Sequence, residues 1–152
     1  MKIKQLAHIV LYVRDLDAST AWYRDLFDMD LVGVAEGFRA NFLSFGTRDH
    51  DLALFEKQDA SGGEPQDLNH LAFEFDGSLD DYKAAYRRLK ERGVEVTGTA
   101  DHGVAYGIYM LDPDGHTVEL YFSTLEPGAD GPDAFRRAGV RADPIDIEAV
   151  VA

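Results

Sequence analysis

Cysteine is absent from the 152-residue chain, so neither a disulfide nor a thiolate-bound metal can hold it together. That absence fits a reducing cytoplasm, the compartment expected here. No apolar run approaches the 18 or so residues that a membrane-spanning helix needs, and a membrane is not an expected partner. The start, MKIKQLAHIVLYV, has two lysines but no long apolar stretch with a small-residue cleavage site, and reads as lacking a secretory signal. Basic residues are scarce too: 15 Lys and Arg stand against 28 Asp and Glu, a formal charge of -13. Neutralising phosphates takes clustered Lys and Arg, so nucleic acid is not expected as a partner either.

What is present belongs to an ordinary folded chain. Hydrophobic residues make up 45% and charged residues 28%, and a chain of this length buries roughly two-thirds of its unfolded surface in one domain. Its main feature is an internal repeat. LAHIVLYV (6–13) resembles LNHLAFEF (68–75), each a strand pattern with histidine third, His8 and His70. A helical pattern follows each, DLDASTAWYRDLFD and SLDDYKAAYRRLKERG, the second with Ser78 as N-cap and Gly93 closing it. Trp22, Tyr23 and Phe27 recur at helical spacing and read as a core face. Three strand-like runs then complete each half: 31–35, 40–45 and 51–56, matched by 95–99, 106–111 and 117–122.

The predicted class is therefore α+β, two βαβββ modules in one domain over 1–122. Module one covers 1–56 and module two 68–122. Residues 57–67, KQDASGGEPQD, have the composition of a linker. Beyond 122 the chain shifts to a stretch with three prolines and no period, so 123–152 reads as an irregular tail packed on the surface or on another subunit.

Aligning DHDLALF (49–55) with GHTVELY (115–121) superimposes the last strands and sets Ala53 opposite Glu119. Paired modules would then turn His8, His70 and Glu119 into one cavity. Two imidazoles and a carboxylate on one face of a metal leave positions open for substrate and dioxygen, and these ligands suit Fe(II), Mn(II), Co(II) or Zn(II). Each residue also has a plainer reading. A strand histidine can be a hydrogen-bonded core or surface residue, and Glu119 can face solvent while Val118 and Leu120 are buried. Alternation does not choose, because TVELYF is apolar on both sides; burying the carboxylate without a partner or cation is costly. His116 reads as a solvated turn residue, and Asp112 to Gly115 as a turn in which Pro fixes φ and Gly allows positive φ.

The βαβββ pair with His8, His70 and Glu119 resembles the vicinal oxygen chelate superfamily, which includes glyoxalases, fosfomycin-modifying enzymes and bleomycin-binding proteins. Within it, HGVAYGIYMLDPDGHTVE is similar to the signature of type I extradiol ring-cleavage dioxygenases, carried by His102, Ile108, Tyr109, Asp112, Pro113, Gly115 and Glu119. One departure is Ala100, two residues before the signature histidine. FLSFGTRDHDLALFE (42–56) resembles the segment where catechol dioxygenases carry an acid–base histidine, here His50, although the spacing to His70 is longer. The resemblance spans about residues 4–122. It implies metal ligands His8, His70 and Glu119, catalytic roles for His50, His102 and Tyr109, and Fe(II) as cofactor, with Mn(II) compatible with the same ligands. It implies a catechol-type small molecule and O2 as partners, and a homo-oligomer, a dimer or larger.

Two alternatives stay open. A glyoxalase, an epimerase or a fosfomycin-type transferase would use the same fold; most such lyases and isomerases need a fourth protein ligand, where this chain has Ala53. A non-catalytic drug-binding protein would need no metal ligands at all.

Overall fold

The strand patterns that open the two halves form β1 (Ile9–Val13) and β5 (Leu71–Glu74). In the computed structural model, residues 6–47, 49–57, 68–139 and 141–151 are described. They fall into two compact units: residues before 66 together with Asp112–Asp114, and Gln66–Leu111 together with the chain from Gly115 onward. The expected linker lies, apart from Lys57, outside the described residues.

In the first unit, β1 is followed by α1 (Leu16–Phe27), β2 (Asp30–Val34), β3 (Ala40–Ser44) and β4 (Leu52–Glu56). Asp15 caps α1 by accepting from the Ala18 N–H at 2.9 Å, and Asp28, at φ 55, ends it in the left-handed region that Asp tolerates. The sheet runs β1-β4-β3-β2, with β1 parallel to β4 and the other pairs antiparallel. Leu11, Val13, Leu43, Leu52 and Leu54 fill its core, each worth about 1.5–3 kcal/mol when fully removed from water. Tyr23 is buried on α1 and donates from its hydroxyl to Asp112 at 2.8 Å. Asp114 accepts from the Arg14 N–H at 2.7 Å and from the Ser19 hydroxyl at 2.6 Å. The two aspartates of DPDG are thus more than turn formers: they satisfy donors at the start of α1 and along it.

In the second unit, β5 is followed by α2 (Leu79–Glu91), β6 (Val96–Asp101), β7 (Ala105–Leu111) and β8 (Thr117–Ser123). Ser78 and Asp81 form a reciprocal capping box at the start of α2. At its end the Val94 N–H donates to Leu89 O and the Gly93 N–H to Lys90 O, both at 3.0 Å, while Gly93 takes φ +70. That is the Schellman closure a glycine permits. The sheet order is β5-β8-β7-β6, with β5 parallel to β8 and antiparallel pairing elsewhere. Leu71, Ile108, Met110, Val118 and Leu120 of the sheet and Tyr82 of α2 are among the unit's buried apolar side chains.

Register makes the repeat physical. Val10 pairs with Ala53 between β1 and β4, and Ala72 pairs with Glu119 between β5 and β8. His8 and His70 each lie two residues before the paired position. Ala53 therefore holds in the first sheet the place Glu119 holds in the second.

The C-terminal stretch has more regular structure than its composition predicts. It forms α3 (Gly131–Ala138), the two-residue strand β9 (Asp143–Pro144) on the edge of β6, and a 3-10 turn over Ile147–Ala149. Asp130 caps α3 and a proline stands in its first turn. The short strand and turn depend on partners far away in sequence, which local periodicity does not register.

Candidate active site

The first unit brings two of the expected residues together. His8, exposed just before β1, lies against His50 with ring centroids 4.3 Å apart and planes tilted by 33°. Phe42 of β3 meets the same His50 ring edge-on at 5.3 Å. Asp49 Oδ2 is 3.1 Å from His50 Nδ1. A carboxylate only accepts, so Nδ1 carries the proton and Nε2 is left as the basic nitrogen. The main-chain N–H of His50 holds the Asp49 carboxyl below its ordinary range.

The second unit brings together the other four. Glu119, in the middle of β8, is only 4% exposed, between the equally buried Val118 and Leu120. Facing solvent is thereby ruled out for Glu119: Val118, Glu119 and Leu120 point to alternate faces of β8 and all three are buried. Its Oε2 is 3.1 Å from His70 Nε2, and its Oε1 is 3.5 Å from His102 Nε2. His102 Nε2 is also 2.8 Å from the hydroxyl of Tyr109, the residue paired with Glu119 across β7 and β8. Burial, and then the charge of Glu119, push the Tyr109 phenol well above its ordinary range, so it remains a hydrogen-bond donor.

Two neighbours orient these rings. Asn69 Oδ1 accepts from His70 Nδ1 at 2.7 Å, and the Arg141 main-chain oxygen accepts from His102 Nδ1 at 2.8 Å. His70 Nε2 and Glu119 Oε2 face each other at 3.1 Å, a nitrogen and an oxygen that can each be a metal ligand. Glu119 Oε1, fully buried, has no hydrogen-bond partner. A buried carboxylate in that state is costly, and a divalent cation relieves that cost. The donor set of imidazole nitrogen and carboxylate oxygen thus fits a metal such as Fe(II), Mn(II) or Zn(II). Among the described residues no three His, Asp or Glu side chains gather at metal-binding distance; the second unit supplies the pair His70 and Glu119.

A profile of the Glyoxalase/Bleomycin resistance protein/Dioxygenase superfamily matches residues 5–120. The chain belongs to that superfamily. Biphenyl-2,3-diol 1,2-dioxygenase 3 of Rhodococcus globerulus is 36% identical over 135 residues, 83% of this chain and 68% of its own length. Biphenyl-2,3-diol 1,2-dioxygenase 2 of the same organism is 33% identical over 153 residues, 93% of this chain and 78% of its own. A crystal structure of a mutant of the fosfomycin resistance protein FosX from Listeria monocytogenes, complexed with Mn(II) and 1S,2S-dihydroxypropylphosphonic acid, aligns with a TM-score of 0.65 and 27% identity. That alignment covers 82% of this chain and 94% of FosX. The fold is thus that of the superfamily, and these members are named for chemistry on small molecules, with a divalent metal in FosX.

Three contributors were not read from the sequence: Asn69, Gly107 and Arg141. Asn69 carries the clearest signal, as a side-chain acceptor next to a strand histidine. Gly107 lies on β7 where a Cβ would overlap Glu119 Oε1; it stood inside a strand pattern, where a glycine marks the close approach of another group. Arg141 acts through its main chain, which no residue type reveals. His116, expected in solvent, is buried; Gly115, at φ +86, turns the chain so that the next side chain goes inward.

Proposed function

We propose that the protein is an extradiol dioxygenase, inserting O2 into a catechol-type ring beside its two hydroxyls, with both oxygen atoms retained in the ring-opened product. The observation that carries this is the convergence of His70, Glu119, His102 and Tyr109, with one buried carboxylate oxygen left without a hydrogen bond. The similarity to two biphenyl-2,3-diol dioxygenases supports a vicinal diol on an aromatic ring as the substrate class.

His8, His70 and Glu119 would hold the metal, Fe(II) in this reading, and Ala53 adds no fourth ligand. When bound, Fe(II) favours the ionised diol and carries electrons between the diol and O2. The chain's own groups then have separate tasks. Tyr109 hydrogen-bonds a substrate hydroxyl through its own oxygen, its single proton being directed at His102 Nε2. His102 presents Nε2 beside it and confines the ring's position. His50 takes a proton at Nε2 from a diol hydroxyl as general base and returns it as general acid, while Asp49 keeps the ring in that tautomer. Phe42, edge-on to His50, limits the room for water beside it. Assembly as a homo-oligomer, with His8 supplied within one chain or by another copy, belongs to the same proposal, as does a cytoplasmic setting; no helix among the described residues is long and apolar enough to cross a membrane.

Fosfomycin-type chemistry is the second reading, favoured by the FosX alignment. A phosphonate needs cationic partners, and the cluster of His70, His102, Tyr109 and Glu119 includes no Lys or Arg. Anaerobic purification followed by iron quantification and oxygen-electrode assays with catechol and 2,3-dihydroxybiphenyl tests the proposal. Stoichiometric iron with diol-dependent O2 uptake is the expected result. Metal-dependent turnover of fosfomycin without O2 uptake would establish the second reading instead.

A further inference from the structure

The chain after β8 returns along the second unit and ends its path beside a residue of the cluster. β9 pairs with the edge of β6, Pro144 with Ala100 and Asp143 with Asp101. Thr99 Oγ1 donates to Ile145 O at 2.5 Å, and further along Arg87 reaches both oxygens of Glu148 at 2.6–3.1 Å. The Arg141 guanidinium meets Asp101 at 2.6 Å and Asp143 at 3.5 Å. Gly103, in the turn between β6 and β7, has φ +80, and a Cβ there would lie 2.9 Å from Ala138 Cβ and 3.1 Å from Arg141 Nε. The turn and the tail therefore close on each other without room for a side chain.

This anchoring places one atom: the Arg141 main-chain oxygen, 2.8 Å from His102 Nδ1. A carbonyl oxygen can only accept, so His102 carries a proton on Nδ1, and this contact holds it there whenever the ring has a single proton, which leaves Nε2 as an acceptor. Nε2 lies 2.8 Å from the Tyr109 hydroxyl and 3.5 Å from Glu119 Oε1. In the other tautomer the same nitrogen would be a donor. It could then turn to the carboxylate that has no hydrogen-bond partner at Oε1 and occupy the lone pair a metal needs.

We propose that the C-terminal segment from Arg141 to Ile145 is a tautomer lock on His102. By presenting the Arg141 carbonyl to Nδ1 it keeps Nε2 as the acceptor for Tyr109 and keeps His102 from donating to Glu119. Arg141 is thus a positioning residue that acts through His102. Its effect on turnover rests on the reading above; its effect on the ring does not.

The test is long-range nitrogen–proton NMR of the histidine rings in the full-length protein, metal-free and Zn(II)-loaded, with the His102 signals assigned by their loss in His102→Gln. In the natural sequence His102 is expected to show a protonated Nδ1 and an unprotonated Nε2. Arg141→Ala combined with Thr99→Val removes two anchors of the segment and is expected to shift His102 toward the Nε2-protonated form. Turnover is expected to fall about tenfold, the scale of losing an outer-shell orienting partner, and Arg141→Lys is expected to restore most of it. Thr99→Val alone, nearly isosteric, gives a smaller shift in the same direction and serves if the double variant folds poorly. An Nε2-protonated His102 in the natural sequence, or an unchanged His102 tautomer in both variants, overturns the proposal. Should no diol support O2 uptake, the dioxygenase reading fails while the ring signals still decide the lock.

Discussion

Gly107 of β7 and Glu119 of β8 share one space: a Cβ on Gly107 would overlap Glu119 Oε1 and come within 3.1 Å of the Tyr109 ring. The carboxylate lies where a side chain on the neighbouring strand would otherwise be. Gly107→Ala is compatible with extended backbone, so the sheet should form while the carboxylate is pushed aside. We expect metal affinity to drop about ten- to hundredfold, read by titration with a metal indicator, with circular dichroism unchanged. Unaltered affinity in a folded variant would remove Gly107 from the site.

Glu119→Ala takes away the buried carboxylate. Bound iron is expected to fall below about a tenth of the natural level, and His8→Ala and His70→Ala should lower it as well. The natural protein should gain thermal stability on adding metal, about 2.7 kcal/mol at a hundred times the dissociation constant. Glu119→Ala should gain none. Retention of stoichiometric iron by this variant contradicts the proposed ligand set.

His50→Phe keeps an aromatic ring against His8 and Phe42 but removes the titrating nitrogen. Turnover of a catechol should fall about a hundred- to ten-thousandfold, the usual contribution of a positioned acid–base group, with bound metal unchanged. Following the coloured ring-opened product from substituted catechols checks this. Full activity would exclude His50 from proton transfer.

Docking of the tail should weaken in acid. Burial raises the Asp101 carboxyl, but the Gly103 N–H and the Arg141 guanidinium outweigh it and leave Asp101 below its ordinary value of 3.8. A carboxyl depressed by folding stabilises the folded contact above its unfolded value and loses that contribution as pH falls through the folded one. Asp143 shares the same guanidinium. Exchange of the Ile145 amide, which donates to Thr99 O just after β9, should therefore be slow near neutrality and accelerate as pH drops below about 4, after correction for intrinsic rates. Asp101→Asn should flatten that dependence; an identical profile in the variant would assign the contact no role in docking.

Much of the arrangement was legible before any coordinates. The two histidine-third strand patterns predicted the repeat, and the register of Val10 with Ala53 and of Ala72 with Glu119 carries it through. Ser78 and Gly93 announced both ends of α2, because caps are local chemistry. Glu119 was ambiguous for a definite reason. Alternation reports which face of a strand is buried only when one face is exposed, and the middle of β8, Val118 to Leu120, is buried on both. His116 misled for a related one, since a glycine turn does not say which way the next side chain points.

The amino-acid sequence alone determined the repeated βαβββ order, the helix ends and the kinds of donor atom available, because propensity, capping and residue chemistry act over a few neighbouring residues. Only the tertiary structure decided that Glu119 lies buried between His70 and His102, that Gly107 leaves room for it, and that the Arg141 carbonyl meets His102. Those are contacts between residues apart in the chain, one made by a main-chain atom and one by a missing Cβ, and such contacts leave no local pattern to read.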